Sequence, residues 1–130
     1  MLEFQLPPGS YCIGDPYLFL LPGIVNEYFG GKIMPGFYNY EGFPFLIDCT
    51  GFDEGSFLDA DRTEYVIYYG LLGVLPIEIC QSRDRLGKQT YFPLPVVVGT
   101  DGEGHFEIGC GSYKLVLETS MENFSEESFS

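Results

Sequence analysis

The chain has 130 residues, with 19 Asp plus Glu against 6 Lys plus Arg and a single His, so its formal net charge is -13. Hydrophobic residues make up 45% and aromatics 17%, which excludes a disordered chain and suits one domain with one real core. The longest stretch free of charge, Tyr65–Ile77, is too short to span a bilayer, and the charge sign opposes direct binding to a nucleic-acid backbone.

Composition leans towards β structure. Ala60 is the only alanine, while twelve Phe and ten Tyr join a generous share of Val and Ile. In chain order, Glu3–Leu6 is a short strand stopped by Pro7-Pro8-Gly9, and Ser10–Gly14 is a second strand that meets the turn pair Asp15-Pro16. Tyr17–Gly23 is apolar on both faces and fits either a buried strand or the lead into a short helix. Ile24–Gly30 is the best helical turn, closed by Gly30-Gly31. Met34–Phe43 reads as an aromatic loop, because Pro and Gly interrupt any period.

From Pro44 onward the alternation sharpens. Two apolar runs flank an acidic turn at Asp53-Glu54-Gly55, and Glu64–Gly70 and Leu71–Ile79 read as consecutive strands. Gln89–Gly99 carries Pro93 and Pro95, which suit an edge strand or a strand entry. A final hairpin pairs His105–Ile108 with Tyr113–Glu118 through Gly109-Cys110-Gly111. The expected fold is therefore mainly β: a single-domain antiparallel sandwich or partly open barrel over residues 1–119, with at most one short helix. Residues 120–130, polar, acidic and without strand alternation, are expected to be a flexible tail.

Leu6–Leu20, "LPPGSYCIGDPYLFL", resembles the opening of a family of small, little-characterised bacterial and phage proteins that begin with Gly-x-Tyr-x-Ile-Gly-Asp-Pro. Gly9, Tyr11, Ile13, Gly14, Asp15 and Pro16 carry the match. Gly55–Ile79 and Gly104–Thr119 are similar to the same group, so about half the chain is covered. Members often place a Cys directly after Asp-Pro; Tyr17 stands there, so no thiol role carries over. The resemblance implies a bacterial or phage cytoplasmic protein and transfers no activity. The opening residues alone imply a rigid turn at Gly14, Asp15 and Pro16.

The acidic segment Asp53–Glu64 holds Asp53, Glu54, Asp59, Asp61 and Glu64. It fails as a calcium loop, since Phe57 and Leu58 occupy positions 5 and 6, where an oxygen ligand and a glycine are required. Asp59 and Asp61 share a face of an extended segment and could hold a hard cation; a solvated hairpin end is the plainer reading. Mutual repulsion in such a cluster predicts that Asn at 59 and 61 leaves stability unchanged or raises it.

Cys12, Cys49, Cys80 and Cys110 form no C-x-x-C, and His105 is the only imidazole, so neither a zinc site nor a disulfide framework is indicated. The N-terminal residues carry no secretory pattern, which points to reduced thiols. His105 and Cys110 would fall on opposite faces of a strand, which disfavours a nucleophilic pair. Nucleotide-loop, serine-hydrolase and zinc-protease motifs are missing, and Gly99–Gly104 pairs its glycines with carboxylates that repel phosphate.

Outside the basic island Arg83–Lys88, negative charge runs through nearly the whole chain. Such a field steers a protein towards cationic surfaces, including channels that otherwise hold nucleic acid. The leading expectation is a cytoplasmic, non-enzymatic interaction protein, such as a phage or mobile-element inhibitor, that docks on a basic surface of a host protein. It would use Asp53, Glu54, Asp59, Asp61 and Glu64, with no cofactor, no membrane and no direct nucleic-acid contact. The alternative is a small-molecule or metal-binding domain, or a carboxylate-based hydrolase, built on Asp15, Asp59 and Asp61.

Overall fold

The computed structural model describes residues 1–81 and 86–119; Ser82–Arg85, which includes half of the basic island, and the tail 120–130 lie outside the described residues. Eleven strands are present among them: β1 (Leu2–Leu6), β2 (Gly9–Gly14), β3 (Gly36–Tyr40), β4 (Phe43–Cys49), β5 (Gly55–Leu58), β6 (Glu64–Ile67), β7 (Leu71–Pro76), β8 (Lys88–Phe92), β9 (Val96–Thr100), β10 (His105–Cys110) and β11 (Tyr113–Glu118). They form a four-stranded sheet in the order β1-β9-β10-β11, a five-stranded sheet in the order β3-β4-β7-β2-β8, and the separate hairpin β5-β6. All pairings are antiparallel and no barrel closes. The helices are short: α1 (Pro16–Phe19), a π turn at Ile24–Tyr28 and a 3-10 turn at Ile77–Ile79. None is long and apolar enough to cross a membrane.

The inner strands of the five-stranded sheet, β4, β7 and β2, are buried on both faces, which explains their largely apolar runs. Ile13, Leu46, Leu72 and Val74 point into the core shared with Val98, Phe106, Ile108 and Leu117 of the four-stranded sheet and with Phe57 and Tyr65 of the β5-β6 hairpin. Their neighbours Cys12, Phe45, Ile47 and Leu75 point the other way, under a layer of Phe19, Leu20, Ile24, Ile33 and Ile79. Fully burying each such Val, Leu, Ile or Phe side chain stabilises by roughly 1.5–3 kcal/mol. The four-stranded sheet keeps one face wet, so β10 and β11 alternate inward and outward residues.

Three expectations change. Met34–Phe43 is not a loop: β3 and β4 pair as a hairpin across Glu41-Gly42, with φ of 50° and 88° at the two turn residues. Both positions need positive φ, and Asn39 Oδ1 accepts from Gly42 N at 2.9 Å to close the turn. A glutamate in the left-handed region hides the usual Asn-Gly or Asp-Gly signal. Gln89–Gly99 is two strands, because Pro93 and Pro95 lie in the bend that carries the chain from β8, an edge of one sheet, to β9 inside the other. Finally, Asp53-Glu54-Gly55 does not turn β4 back onto β5: the hairpin is β5-β6, closed by Asp59–Thr63.

Gly104 sits at a contact between the sheets. Its φ is 104°, and a Cβ there would lie 2.4 Å from the Thr50 carbonyl oxygen and 2.7 Å from Thr119 Oγ1. Gly102 has a φ of 76° but open space around it. Gly104→Ala should therefore destabilise the fold by about 3 kcal/mol or more, and Gly102→Ala by only about 1 kcal/mol, measured by urea unfolding. Equal losses would show that backbone conformation alone governs both positions.

Candidate functional site

The loop Asp59–Thr63 is organised by its first residue. Asp59 Oδ1 accepts from the backbone N–H groups of Asp61 and Thr63, each at 2.9 Å. Arg62, at φ 65°, donates its N–H to the Asp59 carbonyl and completes the turn. The second carboxylate oxygen, Oδ2, accepts from Tyr65 Oη at 2.8 Å and from Lys88 Nζ at 2.9 Å. Lys88 reaches this point from β8, at the edge of the neighbouring sheet, and also donates to Asp61 Oδ2 at 3.0 Å. The Asp59 side chain is fully buried, that of Lys88 is nearly so, and that of Asp61 is 68% exposed.

Burial pushes the Asp59 carboxyl up, but hydrogen bonds from Lys88, Thr63 and Tyr65, with the ammonium charge, outweigh it and hold the group below its ordinary value. For Lys88, burial opposes the charged form, and its bonds to Asp59 and Asp61 prevail and raise it. Tyr65 is pushed up by burial and then by its bond to Asp59. Its ring stacks on Phe57 at 4.8 Å, which fixes where the hydroxyl points.

Asp59 and Asp61 thus share a cation, as their spacing allows, and that cation is the protein's own lysine. Glu64, paired across β5-β6 with Leu58, is exposed nearby, whereas Asp53 and Glu54 lie at the other end of the hairpin beside Gly70. The five carboxylates are therefore not one cluster. No grouping of three or more His, Cys, Asp or Glu among the described residues is arranged to hold a metal.

Asp15 serves a different end. It is fully buried; Oδ1 accepts from Tyr17 N at 2.9 Å, capping α1, and Oδ2 accepts from Tyr68 N at 2.8 Å and Tyr69 N at 3.3 Å. Burial raises this carboxyl despite those three bonds. Pro16 begins α1, and a Cβ on Gly14 would fall 2.3 Å from the Phe19 ring. Gly14, Asp15 and Pro16 carry the chain from β2 into α1, with Asp15 as the helix cap and Gly14 not among the glycines of positive φ.

Cys110 faces the core and His105 the wet face of β10. His105 lies between Glu118 and Glu107, 2.8 Å from each, and these bonds, Glu107 first, raise its pKa. All four cysteines are free thiols.

Beside the Asp59–Lys88 pair lies a cavity of about 550 Å³, at the corner where the chain leaves β8 for β9. Asp61, Lys88, Thr90, Leu94, Ser112 and Tyr113 line it. Sequence reasoning missed Lys88, Tyr65 and Tyr113. Only the sheet topology joins them to Asp59, and no local spacing signals it. Comparisons with protein-family models, with curated proteins and with solved structures find no match.

The expected gain in stability from Asn at 59 and 61 is reversed by the lysine between them. Asp59→Asn should cost about 3 kcal/mol at neutral pH, because it strips a buried ammonium of its closest partner. Asp61→Asn should cost under about 1 kcal/mol, being exposed. Since the native Asp59 pKa is depressed, its contribution is present above the ordinary carboxylate range and fades as pH falls through the folded value. Chemical unfolding from pH 7 down to about pH 3 should therefore find the gap between wild type and Asp59→Asn closing. A gap that holds constant would mean the charge is not what stabilises the loop.

Proposed function

We propose that the chain is a non-enzymatic interaction protein that docks through its negative surface onto a basic surface of another protein. The observation that carries this reading is how little of the charge is compensated internally. Among the described residues, ion pairs engage only Asp59, Asp61, Glu107 and Glu118 on the acidic side. The same pairs use Lys88, Lys114 and His105, leaving Lys32 and Arg62 as the other described cations. Exposed Asp53, Glu54, Glu64, Glu27, Glu41 and Glu78 make no ion pair among the described residues.

Asp53 and Glu54 are the best-placed of the sequence-derived contact residues. They flank a shallow apolar hollow, with Cys49, Phe52 and Gly70, and none of its described lining residues is cationic. Carboxylates at the rim of an apolar hollow suit Lys and Arg side chains, whose stems pack while their heads pair. Asp59 and Asp61 support the loop in this reading and contribute little to docking. The resemblance of the opening residues to phage and bacterial proteins extends the proposal to an inhibitor of a host protein, acting in the cytoplasm. A carboxylate-based hydrolase draws less support, because Asp15 and Asp59 are buried and already accept three and four hydrogen bonds.

Affinity capture from bacterial lysate, followed by titration of the purified binder, tests the proposal. Binding should weaken at least about tenfold between roughly 0.05 M and 0.5 M salt, and about tenfold again in Asp53→Asn/Glu54→Asn. A binder indifferent to salt and to both substitutions, or no binder at all, would refute it.

A further inference from the structure

We propose that the cavity beside the Asp59–Lys88 pair binds an uncharged, hydroxyl-rich ring of the pyranose class. The cavity's volume, about 550 Å³, is that of a small-ligand site, and its lining divides into two kinds of surface. Tyr113, 42% exposed, and Leu94, 51% exposed, provide an apolar wall, with the buried Phe92 ring 6.2 Å behind Tyr113. Thr90, Ser112, Asp61 and Lys88 provide hydroxyls, a carboxylate and an ammonium. Lys88 has three N–H donors, and two are committed to Asp59 and Asp61.

Charge decides the class of ligand. Lys88 already bridges Asp61 and the buried Asp59, so a cation would compete with an ammonium held by both carboxylates, and an anion would meet the carboxylates themselves. The net charge of -13 on the whole chain opposes an anion further. An entirely apolar ligand would strip water from Thr90, Ser112 and Asp61 without replacing it. A pyranose meets both requirements: its C–H face lies on the Tyr113 ring, and its equatorial hydroxyls donate to Asp61 and exchange bonds with Thr90, Ser112 and the remaining Lys88 N–H. Lys88 and Asp61 are held in advance, since Lys88 is fixed by two carboxylates and the Asp59 behind it by four donors.

The site is separate from the docking residues Asp53 and Glu54, so the two proposals fail independently. Titrating isotope-labelled protein with maltotriose, cellotriose and chitotriose tests this one. At least one sugar should produce saturable shifts in the amide signals of Thr90, Ser112 and Tyr113, with Kd on the order of 1 mM. Tyr113→Ala and Asp61→Asn should each weaken that binding about tenfold, while Asp53→Asn/Glu54→Asn leaves it unchanged. Both cavity substitutions fall at exposed positions, and the amide spectrum of each variant reports whether it folds; should Tyr113→Ala unfold, Asp61→Asn alone decides. Absence of shifts with all three sugars, binding undiminished in the folded variants, or a preference for glucose 6-phosphate or spermidine at the same amides would overturn the proposal.

Discussion

The carboxylate of Asp15 joins parts of the chain more than fifty residues apart, and among the described residues it makes no ion pair. Its partners are all backbone N–H groups: one opens α1, and two belong to the link between β6 and β7. Hydrogen bonds to an ionised acceptor contribute about 1.5–3 kcal/mol each, against a desolvation penalty of several kcal/mol for the ion. The balance is close, so the value of Asp15 lies in geometry more than in net stability. With its oxygens fixed, Gly14 must pass directly under the Phe19 ring, and Phe19 with Leu20 then covers one face of the central sheet. The helical layer, and through it the second core, depends on that turn.

The mainly β architecture was legible because alternation survives wherever one face stays wet. β10 and β11 declare themselves residue by residue, and the final hairpin is where the pattern placed it. The central sheet was harder. Leu71–Pro76 is buried at every position, so no period distinguishes strand from helix, and only β-rich composition tips the balance. Two connections misled for a more local reason. Glu41 in a left-handed turn conformation is chemically atypical, and the proline pair, which does stand between an edge strand and a strand entry, also divides one apolar run between two sheets.

Charge was legible in total and illegible in arrangement. The acidic excess is evident from composition, yet neighbouring carboxylates in sequence part company in space. Asp59 and Asp61 gather round Lys88, twenty-nine residues from Asp59, while Asp53 and Glu54 lie at the far end of the same hairpin. A strand of four residues is enough to separate them. The same arrangement turns an apparent repulsion into an attraction and frames a cavity that no sequence motif announces.

Thr119 gives the last strand an unusual termination. It is fully buried; its one O–H is shared between the Thr50 and Gly104 carbonyls, and its N–H donates to the Gly104 carbonyl. β11 is an edge strand, and an edge strand pulled from one end normally peels, one rung of the ladder after another. Here a load arriving from the residues beyond Thr119 meets the threonine clamp before it meets the ladder. That clamp links β11 to the end of β4 in the other sheet, so force passes between the sheets before any hydrogen bond in β11 is exposed. Seen mechanically, the two sheets of the sandwich are stitched at the point where the strand would otherwise begin to unzip.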